Sequence, residues 1–137
     1  ATDRAATGQR RVRVRAIDQL ARAEGLGYIK AVRLLNATEK AKPEQFAEIT
    51  GLPPELCGGD VFETAVLCAA LDGPDGAATL ASFKNSTGAF DGSLIKDFIK
   101  RAVDAIFSAE GRAKIEAVIQ WIIKIASILG PIFGIMI

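Results

Sequence analysis

The stretch IEAVIQWIIKIASILGPIFGIMI, from Ile115 to Ile137, decides the fold, because it is the most apolar part of the chain and must be covered. It carries only two charged side chains, Glu116 and Lys124. Apolar residues recur in it every three or four positions, which is the period of one face of an α-helix. Gly130 and Pro131 predict the end of that helix, because glycine favours a C-terminal cap and proline cannot continue the hydrogen-bonded ladder.

Three environments can cover this segment. A membrane span needs about 20 apolar residues, a length that residues 117–137 reach, but a lysine at position 124 would cost about 2.5–3.5 kcal/mol near mid-bilayer. An interfacial helix is expected to carry a broad cationic face, whereas this segment has one lysine. We therefore expect a protein core, made by the rest of the chain or by further copies of it. The predicted contacts with other copies or with lipid are Ile122, Ile123, Leu129, Ile132, Phe133, Ile135 and Met136.

Length and composition indicate one small all-α domain. A chain of 137 residues, half of them hydrophobic, suffices for one core and excludes two large domains. Its single Trp and single Tyr argue against a β-sandwich, in which aromatic and β-branched residues alternate with polar ones. We expect a basic arm, 1–15, and a helical domain, 16–137. The domain is divided into a first helical part, 16–71, a turn-rich connection, 72–92, and an apolar helical hairpin with a tail, 93–137.

Local patterns place the helices. The sequence predicts helices at about 16–24, 28–40, 44–49, 61–71, 93–107 and after 112, the last two forming an antiparallel hairpin. The helix at 61–71 is apolar on nearly every side, which is typical of a central buried helix. Asp60 and Glu63 predict a capping box at its start. Ser93 is expected to cap the next long helix.

Charge is segregated along the chain. The net charge of +1 conceals +6 in residues 1–42, −7 in residues 43–78 and +2 in residues 79–137. Such a chain can bind a polyanion with its first third, fold that third onto the acidic one, or dock head to tail on a neighbouring copy. The predicted phosphate contacts are Arg10, Arg11, Arg13 and Arg15. Stacking on bases is not expected, because Tyr28 is the only ring in this third.

Residues 11–42 resemble a known DNA-binding unit. The run RVRVR at 11–15 alternates with the period of a strand, and a helix, a glycine turn and a second helix follow it. This order is similar to the ribbon-helix-helix fold, in which two chains pair their strands in the major groove. The resemblance implies groove-facing Arg11, Arg13 and Arg15, a dimer core of Val12 and Val14, and a turn at Gly25. The alternative for the same run is the arginine-rich start of an ordinary helix.

Several chemistries are missing from this sequence. It has no histidine, which removes histidine acid–base catalysis, Ser-His and Cys-His nucleophile pairs, and zinc sites that need imidazole. Two cysteines cannot close a structural zinc site. Cys57 and Cys68 can form a disulfide if residues 54–59 fold back along the following helix; otherwise they are two thiols, with Cys68 buried. We expect no enzymatic activity, metal or cofactor. No signal-peptide pattern is found, so no compartment is assigned beyond association with a membrane or another surface.

Three functions remain as expectations. The first is a non-enzymatic, helical, self-assembling structural protein whose C-terminal apolar hairpin is buried in contacts between subunits. The second is a membrane-active or membrane-anchored protein that uses residues 117–137. The third is a nucleic-acid-binding protein that uses its N-terminal arginine arm.

Overall fold

The computed structural model describes the backbone of residues 2–107 and 112–132, and the side chains of residues 8–107 and 113–132. Within these ranges the chain is all-α, as predicted, with seven α-helices, one 3-10 turn and no strand beyond an isolated bridge between Lys84 and Phe90. The helices are α1, Thr2–Glu24; α2, Tyr28–Glu39; α3, Pro43–Thr50; α4, Val61–Leu71; α5, Gly76–Ala81; α6, Gly92–Ile106; and α7, Arg112–Ile132. The 3-10 turn is Pro54–Leu56.

Helix α7 lies at the centre of the fold. It packs most extensively on α4, then on α1 and α2, and less on α3 and α6. The apolar side chains of its inner face recur at three- and four-residue spacing and are buried against these partners. The buried residues of α7 are Val118, Ile119, Ile122, Ile125, Ala126 and Leu129. The chain itself therefore covers the inner face of its most apolar helix.

Helix α1, Thr2–Glu24, includes most of the predicted basic arm, 1–15, and the run 11–15, for which a strand and the start of a helix were the two interpretations. It begins at Thr2 and runs through the whole RVRVR run. Val12 is 1% exposed while Val14 is 50% exposed, so the two valines lie on different sides of a helix and not on one face of a strand. The helix agrees with the second interpretation of this run, the arginine-rich start of an ordinary helix, because the five-residue alternation hides a longer period. Val12 shares its buried face with Ala16, Ile17 and Leu20, at the spacing of a helix.

The start of α1 is held by an aromatic cluster. The ring of Phe107, just after α6, lies against Gly8 so closely that a Cβ there would be 2.6 Å from its carbon atoms. The same ring stacks on Phe62 of α4, with a centroid distance of 6.5 Å and an interplanar angle of 5°. Residue 8 is therefore part of the core and not of a separate arm.

The hairpin predicted for residues 93–137 contains α6 and α7, and its connection, residues 108–111, lies outside the described residues. Helix α6 packs on α4, and it makes smaller contacts of equal extent with α7 and with the 3-10 turn. Its Ile95 belongs to a second apolar cluster with Leu67 and Phe83, where Phe98 meets the Phe83 ring edge-on at 5.1 Å. Because α4 is apolar on nearly all sides, it packs on both α6 and α7.

Three helix ends differ from their predictions. Helix α7 continues past Gly130 and through Pro131 to Ile132, the last residue with a described position, although Pro131 lacks the N–H that would bond to the carbonyl of Ser127. At α4, Asp60 accepts from the Glu63 amide at 2.9 Å, but the described contacts contain no reciprocal bond from the Glu63 side chain. Helix α6 is capped by Asp91 rather than Ser93. The Asp91 carboxylate accepts from the Ser93 hydroxyl at 2.6 Å and from its amide at 2.9 Å, and these bonds lower the pKa of Asp91.

Replacing Gly76 by alanine tests how tightly the turn between α4 and α5 is packed. It is buried, and a Cβ there would lie 2.9 Å from the carbonyl carbon of Leu71. Backbone atoms cannot yield as a flexible side chain does, so we expect Gly76→Ala to lower the free energy of unfolding by about 1–3 kcal/mol. Denaturant unfolding measures this. Gly92→Ala is the matched control, because a Cβ there meets nothing within 4 Å; an equal loss in both variants would contradict the prediction.

Candidate association surface

The outer face of α7 changes character along its length. Gln120 and Lys124 are exposed, and the next exposed positions on this face are Ile128 and Ile132, which are 43% and 63% exposed. By length and composition, the segment Ala113–Ile132 is long and apolar enough to cross a membrane, and its mean hydropathy is 1.6. The fold buries 39% of its most apolar window. The helix is therefore polar on its outside up to Lys124 and apolar beyond it.

Lys124 is accommodated on this apolar helix by two neighbours. Its Nζ lies over the ring of Trp121, 4.6 Å from the centroid, which is a favourable cation–π geometry. The Trp121 Nε1–H donates to Oδ2 of Asp72, at the end of α4, at 3.0 Å. Both polar atoms are thus directed to the outside of the bundle. These contacts place the boundary between the polar and apolar outer surfaces one helical turn before Ile128.

The turn between α1 and α2 lies at the same end of the molecule as Ile132. Helices α1 and α7 run in the same direction, because Arg15 pairs with Glu116 and Gln19 bonds to Gln120 at 3.1 Å. The last turn of α1 is therefore beside the C-terminal half of α7. There Leu26 packs on a small cluster of Leu20, Leu34 and Ala126.

Two large apolar side chains are exposed at the start of α2. Tyr28 is 53% exposed and Ile29 is 69% exposed, directly after the turn that packs on α7. We call Tyr28, Ile29, Ile128 and Ile132 the apolar end. Exposed cations on the adjoining turns of α1 and α2 accompany it, namely Arg22, Lys30 and Arg33. The apolar end is therefore an apolar surface beside positive charge.

The residues predicted to contact other copies or lipid differ in their exposure. Ile122 and Leu129 are 3% and 1% exposed, so they cannot contact lipid or another copy; α1, α2 and α4 cover them. Ile123 is partly buried and packs on the core, and Ile132 is exposed. The remaining predicted contacts, Phe133, Ile135 and Met136, lie outside the described residues.

Sequence reasoning missed Tyr28, Ile29 and Ile128. Ile29 lies at helical spacing from Val32 and Leu35, but Leu35 is buried and Ile29 is not. Position 29 lies in the first turn of its helix, where the neighbouring helices no longer reach. For Ile128 a signal exists, since it follows Lys124 by four residues and continues the polar stripe of α7.

The four arginines proposed for polyanion binding are not equivalent. Arg13 Nε pairs with Oε1 of Glu39 at 3.0 Å and its guanidinium also contacts Asn36, while Arg15 pairs with Glu116. Arg10 and Arg11 are exposed, and among the described side chains neither has an acidic partner within ion-pair distance. Arg10 also lines a cleft of about 460 Å³ beside Asp60.

The two cysteines are separate buried thiols. Cys57 donates to the carbonyl oxygen of Pro53 at 3.7 Å, and burial raises its pKa. Burial, reinforced by the nearby Cys57 and Asp72, raises the pKa of Cys68 from 9.0 to about 12. A neutral thiol is a weak nucleophile, so neither cysteine is a candidate catalytic group. Among the residues with described positions, no group of three acidic or cysteine side chains is placed to hold a metal ion.

The buried thiols give a prediction for alkylation. At pH 8 the thiolate fraction of Cys68 is about a thousandfold below that of a thiol with an ordinary pKa of 9.0. We expect iodoacetamide to modify Cys68 of the native protein slower than a cysteine peptide by about that factor, and the urea-unfolded protein at the peptide rate. Mass spectrometry of quenched samples measures both rates. Native modification at the peptide rate would contradict the buried position.

The same pKa shift predicts how stability depends on pH. Because the pKa of Cys68 is higher in the folded chain than in the unfolded chain, the neutral thiol favours folding. This contribution is fully present below pH 9 and is lost as the pH rises through about 12. In a Cys68→Ala variant the decline in unfolding free energy over this interval should be smaller.

No protein-family model, curated protein or solved structure matches this chain. The resemblance of residues 11–42 to a ribbon-helix-helix unit therefore rests on the sequence pattern alone. In the structure the run RVRVR is helical.

Proposed function

We propose that this protein is a non-enzymatic helical protein that self-associates through its apolar end. The observation that carries the proposal is the exposure of Ile29 and Ile132, at 69% and 63%, beside Tyr28 and Ile128. Isolated exposed apolar residues are common, but a group of them at one end of a small fold marks a contact surface. Such a surface stabilises a complex when a neighbouring copy removes it from water.

The remaining charges favour contact between unlike surfaces. Neither described ion pair uses a residue from the acidic stretch 43–78, and three of its carboxylates, Glu44, Glu48 and Glu55, are exposed. Two apolar ends facing each other would bring like cations together, which is unfavourable. Contact between the cationic apolar end of one copy and the acidic α3 region of the next avoids this. Such head-to-tail contacts build rings or open filaments.

The test is the mass of the protein in solution. Size-exclusion chromatography with light scattering over a hundredfold range of concentration should give a mass above that of one chain, rising with concentration. Added salt should lower the association constant, because the charges that orient the contact are exposed and screened. A single chain at every concentration would contradict the proposal.

Membrane association is the second candidate, and the cations beside the apolar end favour it. Lys30 and Arg33 are exposed next to Ile29, and basic side chains near an apolar surface are attracted to anionic lipid. Flotation with vesicles separates the two candidates. Association with anionic vesicles and not with neutral ones is the result expected for this function, and failure to float with either would remove it.

A further inference from the structure

A second, independent feature is a cleft that none of the residues of the apolar end lines. It has a volume of about 720 Å³ and lies among α4, α5, α6 and α7. Its floor includes Val66 and Val118, both 1% exposed, and Ile106, 4% exposed. Small-molecule sites in proteins have volumes of roughly 300–1,000 Å³ and apolar linings with few polar groups, and this cleft has both properties.

The walls of the cleft are built from small residues. Alanines of three helices line it, and their short side chains leave space that larger residues would fill. The lining alanines are Ala69, Ala70, Ala102, Ala105 and Ala117. The resulting space is bordered by Phe98 and Pro74. An apolar chain of methylene groups can contact such a lining along its whole length, which removes apolar surface of both partners from water.

The charged residues of the cleft are mostly cationic. Arg101 and Lys114 line it together with one acid, Asp75, so the ionised lining has one excess positive charge. The side chains of Arg101 and Lys114 are exposed, and no described carboxylate lies within ion-pair distance of either. Arg101 also borders an adjoining depression of about 480 Å³, and its Nε donates to the carbonyl oxygen of Asp97 at 3.4 Å.

We propose that this cleft binds a single-chain anionic amphiphile, a fatty acid. The alkyl chain lies on the floor of Val66, Val118 and Ile106, and the carboxylate meets Arg101 and Lys114 at the rim. This proposal does not depend on the apolar end, which is formed by other residues. A fatty acid matches both the excess positive charge and the unfilled apolar space of the cleft. A neutral apolar ligand would match the apolar space alone.

Isothermal titration with sodium decanoate and sodium dodecanoate, below their micelle concentrations, tests the ligand class. Affinity should rise roughly fourfold for each added methylene that is buried, and 1-dodecanol should bind more weakly than dodecanoate. Arg101→Gln and Lys114→Gln should each weaken dodecanoate binding about two- to fivefold, as expected for exposed ion pairs. Lys100→Gln is the matched control, because Lys100 is an exposed cation on the same helix that does not line the cleft. Equal affinities for the acid and the alcohol, or equal effects of the three variants, would overturn the proposal.

A second pair of variants tests the place of the alkyl chain. Ala117→Leu fills part of the cleft from an exposed helical position and should weaken dodecanoate binding about tenfold or more. Ala113→Leu, one turn earlier on α7 and outside the cleft, should leave it unchanged. Both variants should keep the helical circular dichroism of the parent. Unaltered binding by Ala117→Leu overturns the proposal, as does an effect on the mass of the assembly in place of an effect on binding, since the cleft would then hold a second copy.

Discussion

For the self-association that we propose, replacing Ile29 and Ile132 together by glutamate is expected to give single chains. Each side chain is more than 60% exposed in one chain, so both are available for burial by a neighbour. Losing two isoleucines from a contact removes about 1.5–3 kcal/mol each, and a carboxylate placed there adds the cost of its desolvation. The dissociation constant should rise at least a hundredfold, as measured by analytical ultracentrifugation.

The control for this change is Val14→Glu. Val14 is 50% exposed on α1, outside the apolar end, so the same chemical change there should leave the association constant within about twofold. Because all three positions are exposed, circular dichroism and the unfolding midpoint should stay close to those of the parent. If Val14→Glu dissociates the assembly as strongly as the double variant, the contact is not made by the apolar end.

The apolar character of α7 was predictable, but the extent of its coverage was not. Hydropathy places residues 115–132 in an apolar environment, and the helical period assigns Ile119 and Ile122 to one face. Whether that face meets the chain itself, another copy or lipid depends on α1, α2 and α4, which come from distant parts of the sequence. The sequence therefore gives the inner face of α7, whereas the exposure of Ile128 emerges only from where the neighbouring helices end.

The helical conformation of RVRVR has a related cause. Five alternating residues fit a strand, but the decision between strand and helix is made by partners outside the run. In this chain Val12 meets the core from the helical register, and Arg13 and Arg15 reach Glu39 and Glu116 on α2 and α7. Those acids lie 26 and 101 residues away in sequence. Tertiary contacts of that kind override a short local pattern.

Ile119→Ala is expected to give the largest loss of stability of the changes considered for α7. Ile119 is 0% exposed in the main core cluster, so the shortened side chain leaves a cavity that the surrounding helices fill only in part. A buried Ile→Ala change costs about 2–5 kcal/mol, a large share of the roughly 5–15 kcal/mol that holds a small domain folded. Urea unfolding at a concentration where single chains predominate measures the difference.

Ile128→Ala on the same helix provides the matched comparison. Ile128 is 43% exposed, so its truncation removes fewer contacts and leaves no enclosed cavity, and the loss should stay within about 1 kcal/mol. The gap between the two variants measures how far the chain itself covers α7, because the amino-acid change is identical. Equal and small losses at both positions would mean that the inner face of α7 is covered only by other copies or by lipid, which contradicts the packing of α7 on α4, α1 and α2.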